Sequence, residues 1–184
     1  MKKMTVRLRD GTLCVGDYFE DEDYEKLKSL FVRWLDINKD LKQLGGRGLN
    51  VPDVVSEALY CYFFNAVRTN GSEAKAGSYD AVNIDDGAGI QVKSASIPND
   101  LTSFGPHSTW DKLFFIDFCP NGTVDGRVDI YEIKGDIKGL VLNASKGETF
   151  ADQQAQGRRP RFSIQKEFIK KYHMTPDKSI DLTK

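Results

Sequence analysis

The sequence is poor in the residues that build zinc sites and disulfide frameworks. Its 184 residues include three cysteines and two histidines. The cysteines (Cys14, Cys61 and Cys119) stand singly, with no CxxC pair and no histidine at ligand spacing. Zinc fingers and secreted disulfide scaffolds both need such residues at short, regular spacings. The pattern argues against both classes and favours a reducing cytoplasm as the location.

The chain also lacks a long apolar run. No stretch approaches the roughly 20 residues that a membrane-spanning helix needs. Arg7, Arg9 and Asp10 interrupt the apolar positions near the amino terminus, so no signal peptide is expected. With 40% hydrophobic and 29% charged residues, the composition is that of an ordinary globular protein. A chain of this length most simply forms one domain, residues 1–184, around its own core.

There is little net charge of either sign. The formal value of −1 gives no overall attraction to nucleic acid. The distribution is uneven, because residues 144–171 contain seven basic and three acidic side chains. Such a region is typical of a DNA-contacting surface, and also of an ordinary solvated face. The basic residues are Lys146, Arg158, Arg159, Arg161, Lys166, Lys170 and Lys171.

The order of predicted elements indicates an α/β fold with a mixed central β-sheet flanked by helices. Alternating residues around Asp10-Gly11 predict a hairpin, and a helix with acids at its amino end follows, ending at Gly45-Gly46. A second helix is predicted from a cap at Asn50 to about Arg68. Later strands are predicted at 80–84, 89–94, 113–119, 128–133 and 139–142, with helices capped by Thr149 and Ser163. We divide the domain into an amino-terminal part (1–45), a catalytic core (46–143) and a basic DNA-contacting part (144–184).

The segment GSYDAVNIDDGAGIQVKSAS, residues 77–96, places polar residues inside two apolar strands. Period-two alternation puts Gln91 and Lys93 on one face of the second strand. Gly87 and Gly89 supply a tight turn, so the two strands should pair as a hairpin with Asp80 close to both side chains. Glu57, on the preceding helix, would reach the same place if that helix packs against the sheet.

These residue types suit metal-dependent hydrolysis of a phosphodiester. Mg²⁺ prefers hard oxygen ligands, for which Asp80 and Glu57 are the first candidates. The side-chain oxygen of Gln91 or the backbone carbonyl of Val92 would complete the set. The metal would polarise the phosphoryl group and activate a water, which Lys93 would orient. The same spacing also fits an edge strand with exposed Gln91 and Lys93 and with Asp80 as a turn residue.

An aspartate, about ten residues and then Gln-Val-Lys resembles the PD-(D/E)xK nuclease superfamily, with Gln91 where an acid is usual. The runs GLNVPDVVSE, GSYDAV, IQVKSASIPNDLTSFGP and WDKLFFIDF resemble one group of type II restriction endonucleases, the group that cuts GCNGC. This resemblance covers about residues 45–170. It implies Mg²⁺-dependent cleavage of double-stranded DNA that leaves 5′-phosphates, with Glu57 as the helical glutamate of the site.

A second acid-x-lysine triplet, Glu132-Ile133-Lys134, lies further along the chain. Its nearest upstream aspartate, Asp129, is only three residues before Glu132, too close for two paired strands. The two side chains would point to opposite faces of one strand. We interpret this segment as a solvated strand face.

The segment ADQQAQGRRPRFS is the candidate for reading DNA bases. Arginine binds guanine in a bidentate manner, which suits a G·C-rich target, and other arginines would contact phosphates. A solvated basic loop is the alternative. The residues predicted to contact DNA are Arg47, Ser94, Ser96, Arg158, Arg159 and Arg161.

The preferred hypothesis is therefore a type II restriction endonuclease with Mg²⁺ as its cofactor and double-stranded DNA as its substrate. A palindromic target suggests a homodimer, because two-fold DNA symmetry is most simply met by protein symmetry. Two alternatives stay open. One is a repair or structure-specific nuclease of the same fold, and the other is a non-catalytic DNA-binding module in which Gln91 marks the loss of the metal site.

Overall fold

A computed structural model describes residues 1–46, 48–69 and 78–184 of the chain. Within these ranges it contains twelve strands. They are β1 (Lys2–Arg7), β2 (Leu13–Tyr18), β3 (Ala66–Thr69), β4 (Ala81–Asn83), β5 (Gly89–Ala95), β6 (Thr102–Ser103), β7 (Lys112–Asp117), β8 (Arg127–Glu132), β9 (Val141–Asn143), β10 (Glu148–Thr149), β11 (Arg161–Phe162) and β12 (Lys178–Asp181).

Eight strands form one mixed sheet in the order β1-β2-β3-β4-β5-β7-β8-β12. Its neighbouring strands are antiparallel except β5 and β7, which run parallel. Two further sheets have two strands each, β9–β10 and β6–β11. The helices are α1 (Asp21–Gln43), α2 (Asp53–Phe63), α3 (Phe150–Ala155) and a π-helix (Gln165–Lys170). The predicted mixed α/β architecture is confirmed.

The sheet is covered on both faces because its central strands alternate between two apolar clusters. Ile90 and Val92 of β5 pack in the cluster that α1 and α2 complete. Ala95 of β5 belongs to the opposite cluster, which includes Phe104 and Phe150. Gln91 and Lys93 share the parity of Ala95, so they lie on this second face. None of the described helices is both long and apolar enough to cross a membrane.

The second helix is shorter than the sequence predicts. It has Pro52 rather than Asn50 at its N-cap, and it ends at Phe63 rather than near Arg68. Asn65 then adopts a positive φ of 48°, which turns the chain into β3. This strand pairs with β2 on one side and β4 on the other. The residues of β3 therefore form hydrogen bonds within the sheet, whereas the local periodicity predicted helical hydrogen bonds for them.

The hairpin that carries the polar residues forms as predicted. Ala81 pairs with Ile90 and Val82 with Gly89 in antiparallel register. The turn contains Gly87, whose φ of +65° falls in the left-handed region that favours glycine. A Cβ at this position would lie 2.5 Å from the backbone oxygen of Arg7. The turn therefore needs glycine both for its conformation and for its close contact with the end of β1.

Candidate active site

Asp80 lies immediately before β4, opposite Gln91 of β5. The Asp80 N–H donates to the Ile90 carbonyl at 2.9 Å, which continues the hairpin ladder by one residue. Its carboxylate accepts from the Val92 N–H at 2.8 Å and from the side-chain amide of Gln91. The register of the hairpin thus places Asp80 next to Gln91, as the predicted pairing of the two strands requires.

Glu57 reaches this place from α2. Asp53, Ser56 and Glu57 recur at helical spacing, so they lie on one side of α2. The Glu57 carboxylate accepts from Arg68 of β3, with 2.5 Å between Oε2 and Nε. The short α2 and the strand that follows it therefore orient the glutamate that the sequence had proposed as a ligand. Arg68 itself was missed, because the sequence predicted helix there.

A cavity of about 340 Å³ lies between α2, β5 and the start of β6. Four carboxylates and one amine are among its lining groups, so its charge favours a cation. The lining residues are Asn50, Asp53, Ser56, Glu57, Asp80, Val92, Lys93, Ser94, Asp100, Leu101, Thr102 and Ser103. Gln91 is 3% exposed and lies behind Asp80. It contacts the carboxylate rather than the cavity.

Burial raises the pKa of Asp80 to about 6. The positive charge of Lys93 and the Val92 N–H act in the opposite direction, while Glu57 and Asp53 raise the pKa further. A carboxyl group so poorly solvated gains from a nearby cation. The described residues contain no group of three or more His, Cys, Asp or Glu side chains close enough to hold a metal by themselves. A metal here would complete its shell with carbonyl, water or phosphate oxygens.

The far wall of the cavity is β6 and the segment before it. The Lys93 Nζ lies 5.7 Å from the centre of the Phe104 ring, so the ammonium group makes a cation–π contact with this wall. The hydroxyl groups of Thr102 and Ser103 are buried, and neither has a hydrogen-bond partner among the described residues. The sequence did not single out this wall, since two-residue strands carry little periodicity.

Two comparisons with known proteins relate this geometry to a family. The Bsp6I restriction endonuclease family matches residues 19–171. The type II restriction enzyme Bsp6I from Bacillus sp. (strain RFL6) is 32% identical over 183 residues, a match that covers 96% of this chain and 95% of the relative. The chain belongs to the Bsp6I restriction endonuclease family. It is therefore an enzyme, a type II site-specific deoxyribonuclease. No solved structure matches the chain.

The matched range, residues 19–171, spans the positions of Glu57, Asp80, Gln91 and Lys93. In this Bsp6I-family chain Glu57, Asp80 and Lys93 line the cavity, while Gln91 supports Asp80 from behind. The sequence-based resemblance to type II restriction endonucleases is confirmed at the level of the family.

The basic segment of this restriction endonuclease is attached to the cavity through β11. Arg161 of β11 pairs with Ser103 of β6, which lines the cavity. Arg159 and Arg161 are exposed and have no ion-pair partner in the part of the chain that the structure describes. Arg158 instead forms an ion pair with Glu148, and the hydrogen bond from Arg158 lowers the pKa of Glu148 to about 2.

The remaining predicted DNA contacts are Ser94, Ser96 and Arg47. Ser94 lines the cavity, while Ser96 is half-buried just beyond the end of β5. Arg47 lies outside the described residues.

The interpretation of the second acid-x-lysine segment as a solvated strand face holds for the exposed Lys134 but is wrong for Asp129. This residue is 3% exposed, and its carboxylate accepts from the Ser179 hydroxyl of β12 at 2.6 Å. Glu132 pairs with Lys134 at 3.1 Å. The burial of Asp129 depends on β12, which arrives from the end of the chain.

Proposed function

We propose that this chain is a Mg²⁺-dependent restriction endonuclease that cuts both strands of DNA at a short G·C-rich palindrome, GCNGC, leaving 5′-phosphates. The observation that carries the proposal is the shared cavity of Glu57, Asp80 and Lys93 in a chain of the Bsp6I family. The target sequence rests on the resemblance of GLNVPDVVSE and IQVKSASIPNDLTSFGP to enzymes that cut GCNGC.

The residues present fit a magnesium ion. Mg²⁺ takes carboxylate, carbonyl and water oxygens and retains several of its waters. Asp80 and Glu57 supply carboxylates, and the Val92 backbone carbonyl is the third proposed ligand. Burial already makes the charged form of Asp80 unfavourable, and a divalent cation would offset that cost. When bound, the metal would polarise the scissile phosphate and lower the pKa of an attacking water.

The other side chains have proposed roles in orientation. Gln91 holds the Asp80 carboxylate through its amide, and Arg68 holds Glu57. Lys93 carries a positive charge into the cavity, where it would orient the attacking water and offset negative charge that develops on the phosphate. We propose Gln91 as a support for the metal ligands, in agreement with its 3% exposure.

DNA would approach across β6 and the basic segment. Arg159 and Arg161 are free to contact phosphates or guanine edges, and Ser94, Ser96 and Arg47 are proposed phosphate contacts. Arg158 would first have to leave its ion pair with Glu148. A palindromic target of this kind is most simply met by a homodimer.

The test is digestion of a sequenced plasmid with wild-type protein in Mg²⁺ and in EDTA, followed by mapping of the ends. Cuts confined to GCNGC and abolished by EDTA support the proposal. Cuts at nicks or junctions regardless of sequence would indicate a structure-specific nuclease instead. Site-specific protection of DNA without cleavage would indicate a non-catalytic binding module.

A matched pair of lysine variants tests the site itself. Lys93→Ala should abolish cleavage, whereas Lys134→Ala, in the other acid-x-lysine triplet, should leave it intact. Full activity in Lys93→Ala would refute the assignment of this cavity.

A further inference from the structure

The segment before α2 is fixed to α1 by two buried side chains of that helix. Trp34 Nε1 donates to the Asn50 carbonyl at 3.1 Å, and Asn38 Oδ1 accepts from the Leu49 N–H at 2.8 Å. A Cβ on Gly48 would overlap Asn38 Oδ1, so the backbone passes directly against α1. The segment therefore follows a fixed path, although its own residues are exposed.

The two anchoring side chains come from the buried side of α1. Trp34 and Asn38 are 8% and 5% exposed. Burying an amide costs free energy unless its polar atoms find partners, so an apolar residue would fill the position of Asn38 at lower cost. What Asn38 contributes instead is an acceptor for the chain that leads into α2. We name Trp34 and Asn38 the α1 bracket.

The α1 bracket holds a residue of the candidate active site. Asn50 lines the catalytic cavity together with Asp53 and Glu57 of α2. The sequence predicted Asn50 as the N-cap of α2, but Pro52 has that position. The Asn50 side chain makes no hydrogen bond within residues 1–46, 48–69 and 78–184. Its amide is therefore available to a ligand of the cavity.

A neutral donor suits this cavity better than a further basic residue would. Four carboxylates line it, and a guanidinium beside them forms an ion pair, as Arg68 does with Glu57. The DNA backbone brings negatively charged oxygens to the same place and needs donors there. A side-chain amide offers two N–H groups without a net charge. Among the described residues that line the cavity, Asn50 is the one with such a group.

We propose that the side-chain amide of Asn50 donates to a phosphate oxygen of the bound DNA, next to the bond that is cut. The α1 bracket fixes the Asn50 backbone, so Trp34 and Asn38 are positioning residues that act through Asn50. The contact places the DNA backbone at the amino end of α2, across the cavity from β6. Because it names the ligand of the same site, the inference rests on the proposed function.

The first experiment measures binding of a fluorescent duplex with one GCNGC site by anisotropy over a range of salt concentrations. Ca²⁺ replaces Mg²⁺, since it also takes oxygen ligands. Asn50→Ala should raise the Kd at least about tenfold, the loss of one hydrogen bond to a charged group. The factor should be the same at every salt concentration, because a neutral donor displaces no counterions. A wild-type Kd in Asn50→Ala would overturn the contact.

Asn50→Asp separates a phosphate contact from a loss of shape. The new carboxylate would repel the phosphate, so the Kd should rise by more than in Asn50→Ala at low salt, and the difference should shrink as salt screens the charge. Asn121→Ala makes the control change at an exposed position outside the cavity and should bind DNA as the wild type does. An Asn50→Asp variant that binds as tightly as wild type at low salt would contradict a phosphate ligand.

Two further readouts exclude a merely structural role. The urea midpoint of Asn50→Ala should equal that of the wild type, since the residue is exposed and its side chain has no described partner. In steady-state cleavage with Mg²⁺, KM should rise by the same factor as the Kd while kcat stays within about threefold. A lower urea midpoint, or a fall in kcat with an unchanged KM, would overturn the assignment.

A double-mutant cycle tests the α1 bracket. Trp34→Phe keeps an aromatic ring but removes the donor to the Asn50 carbonyl, and it should raise the Kd about threefold or more. The double variant Trp34→Phe/Asn50→Ala should bind no more weakly than Asn50→Ala alone, because Trp34 acts through Asn50. Asn38→Ala repeats the cycle from the other contact. Effects that multiply in both double variants would show that the α1 bracket does not act through Asn50.

Failure of this inference is distinguishable from failure of the proposed function. Anisotropy needs no cleavage, so a duplex that Asn50→Ala binds more weakly, together with wild-type protein that does not cut at GCNGC, would leave the contact standing and refute the function. Conversely, wild-type protein that cuts at GCNGC only with Mg²⁺, while Asn50→Ala keeps the same Kd and KM, would retain the function and refute the contact.

Discussion

Two segments of this chain place an aspartate upstream of a triplet that ends in lysine. Asp80 precedes Gln91-Val92-Lys93, and Asp129 precedes Glu132-Ile133-Lys134, but the two aspartates have opposite surroundings in the structure. Asp80 faces a cavity in which four carboxylates surround one amine. Asp129 is buried on β8 beside the neighbouring strand β12, and its carboxylate accepts hydrogen bonds from the Ser179 hydroxyl and from Arg127. Asp80 accepts hydrogen bonds from Gln91 and Val92, and burial raises its pKa to about 6, in keeping with the proposal that this carboxylate binds the metal.

The difference shows that spacing along the chain predicts which side chains lie together less well than the strand and parity of each residue do. Asp80 immediately precedes β4 and extends its pairing with β5, which carries Lys93, so the two side chains share a face. Asp129 and Glu132 sit on one strand with opposite parity. Four predictions test whether this contrast governs function, taken from the largest effect to the smallest.

Asp80→Asn should reduce DNA cleavage on the order of a thousandfold, because it removes the charged ligand proposed for the metal. The amide is of nearly equal size, so the hairpin should persist. Steady-state cleavage of a duplex with one GCNGC site measures the effect, and circular dichroism checks the fold. Asp129→Asn is the matched control, and a comparable loss of activity in that variant would contradict the comparison.

Gln91→Leu should lower activity by about ten- to a hundredfold, the usual cost of losing a support behind a metal ligand. The variant keeps the volume of the side chain but deprives Asp80 of its amide donor. Titration of cleavage against Mg²⁺ should show a weaker apparent affinity. Wild-type rates across the titration would mean that Gln91 is only a core residue.

Activity at limiting Mg²⁺ should fall about tenfold per pH unit below about 6, because protonated Asp80 cannot bind the metal. Stability should respond in the opposite direction. The folded pKa of about 6 exceeds the unfolded value of about 4, so without metal the free energy of unfolding should fall as pH rises between them.

Urea denaturation in EDTA between pH 4 and 7 measures that slope. Asp80→Asn should flatten it and should be more stable than wild type at pH 7. An identical slope in both proteins would show that Asp80 is not the group responsible.

Asp129→Asn should cost about 1–3 kcal/mol of the free energy of unfolding, since it disturbs a buried, hydrogen-bonded carboxylate. Activity per folded molecule should stay within about twofold of wild type. Urea denaturation at pH 7 measures the first quantity and active-site-normalised cleavage the second. Unchanged stability would show that the Ser179 contact contributes little.

Much of the hairpin was predictable because its determinants are local. The alternation in GIQVKSA sets the common face of Gln91 and Lys93, and the glycine turn sets the register that places Asp80 opposite Gln91. The capping pair Thr149 and Asp152 likewise predicted the start of α3, which the structure confirms.

The residues that sequence reasoning missed depend on contacts between distant segments. Arg68 contacts Glu57 because β3 pairs between β2 and β4 in the sheet. The local pattern had instead favoured continuation of the helix through Arg68. Thr102 and Ser103 line the cavity because β6 pairs with β11, about sixty residues later.

By itself, the sequence determined the mixed α/β class, the hairpin and the side chains that share its polar face, because periodicity and turn chemistry act over a few residues. Only the tertiary structure decided where α2 ends, which wall closes the cavity, and that Asp129 is buried while Asp80 lines the cavity. Those outcomes depend on strand pairing and packing between parts of the chain that are far apart in sequence. Local sequence patterns cannot predict the energies of such long-range contacts.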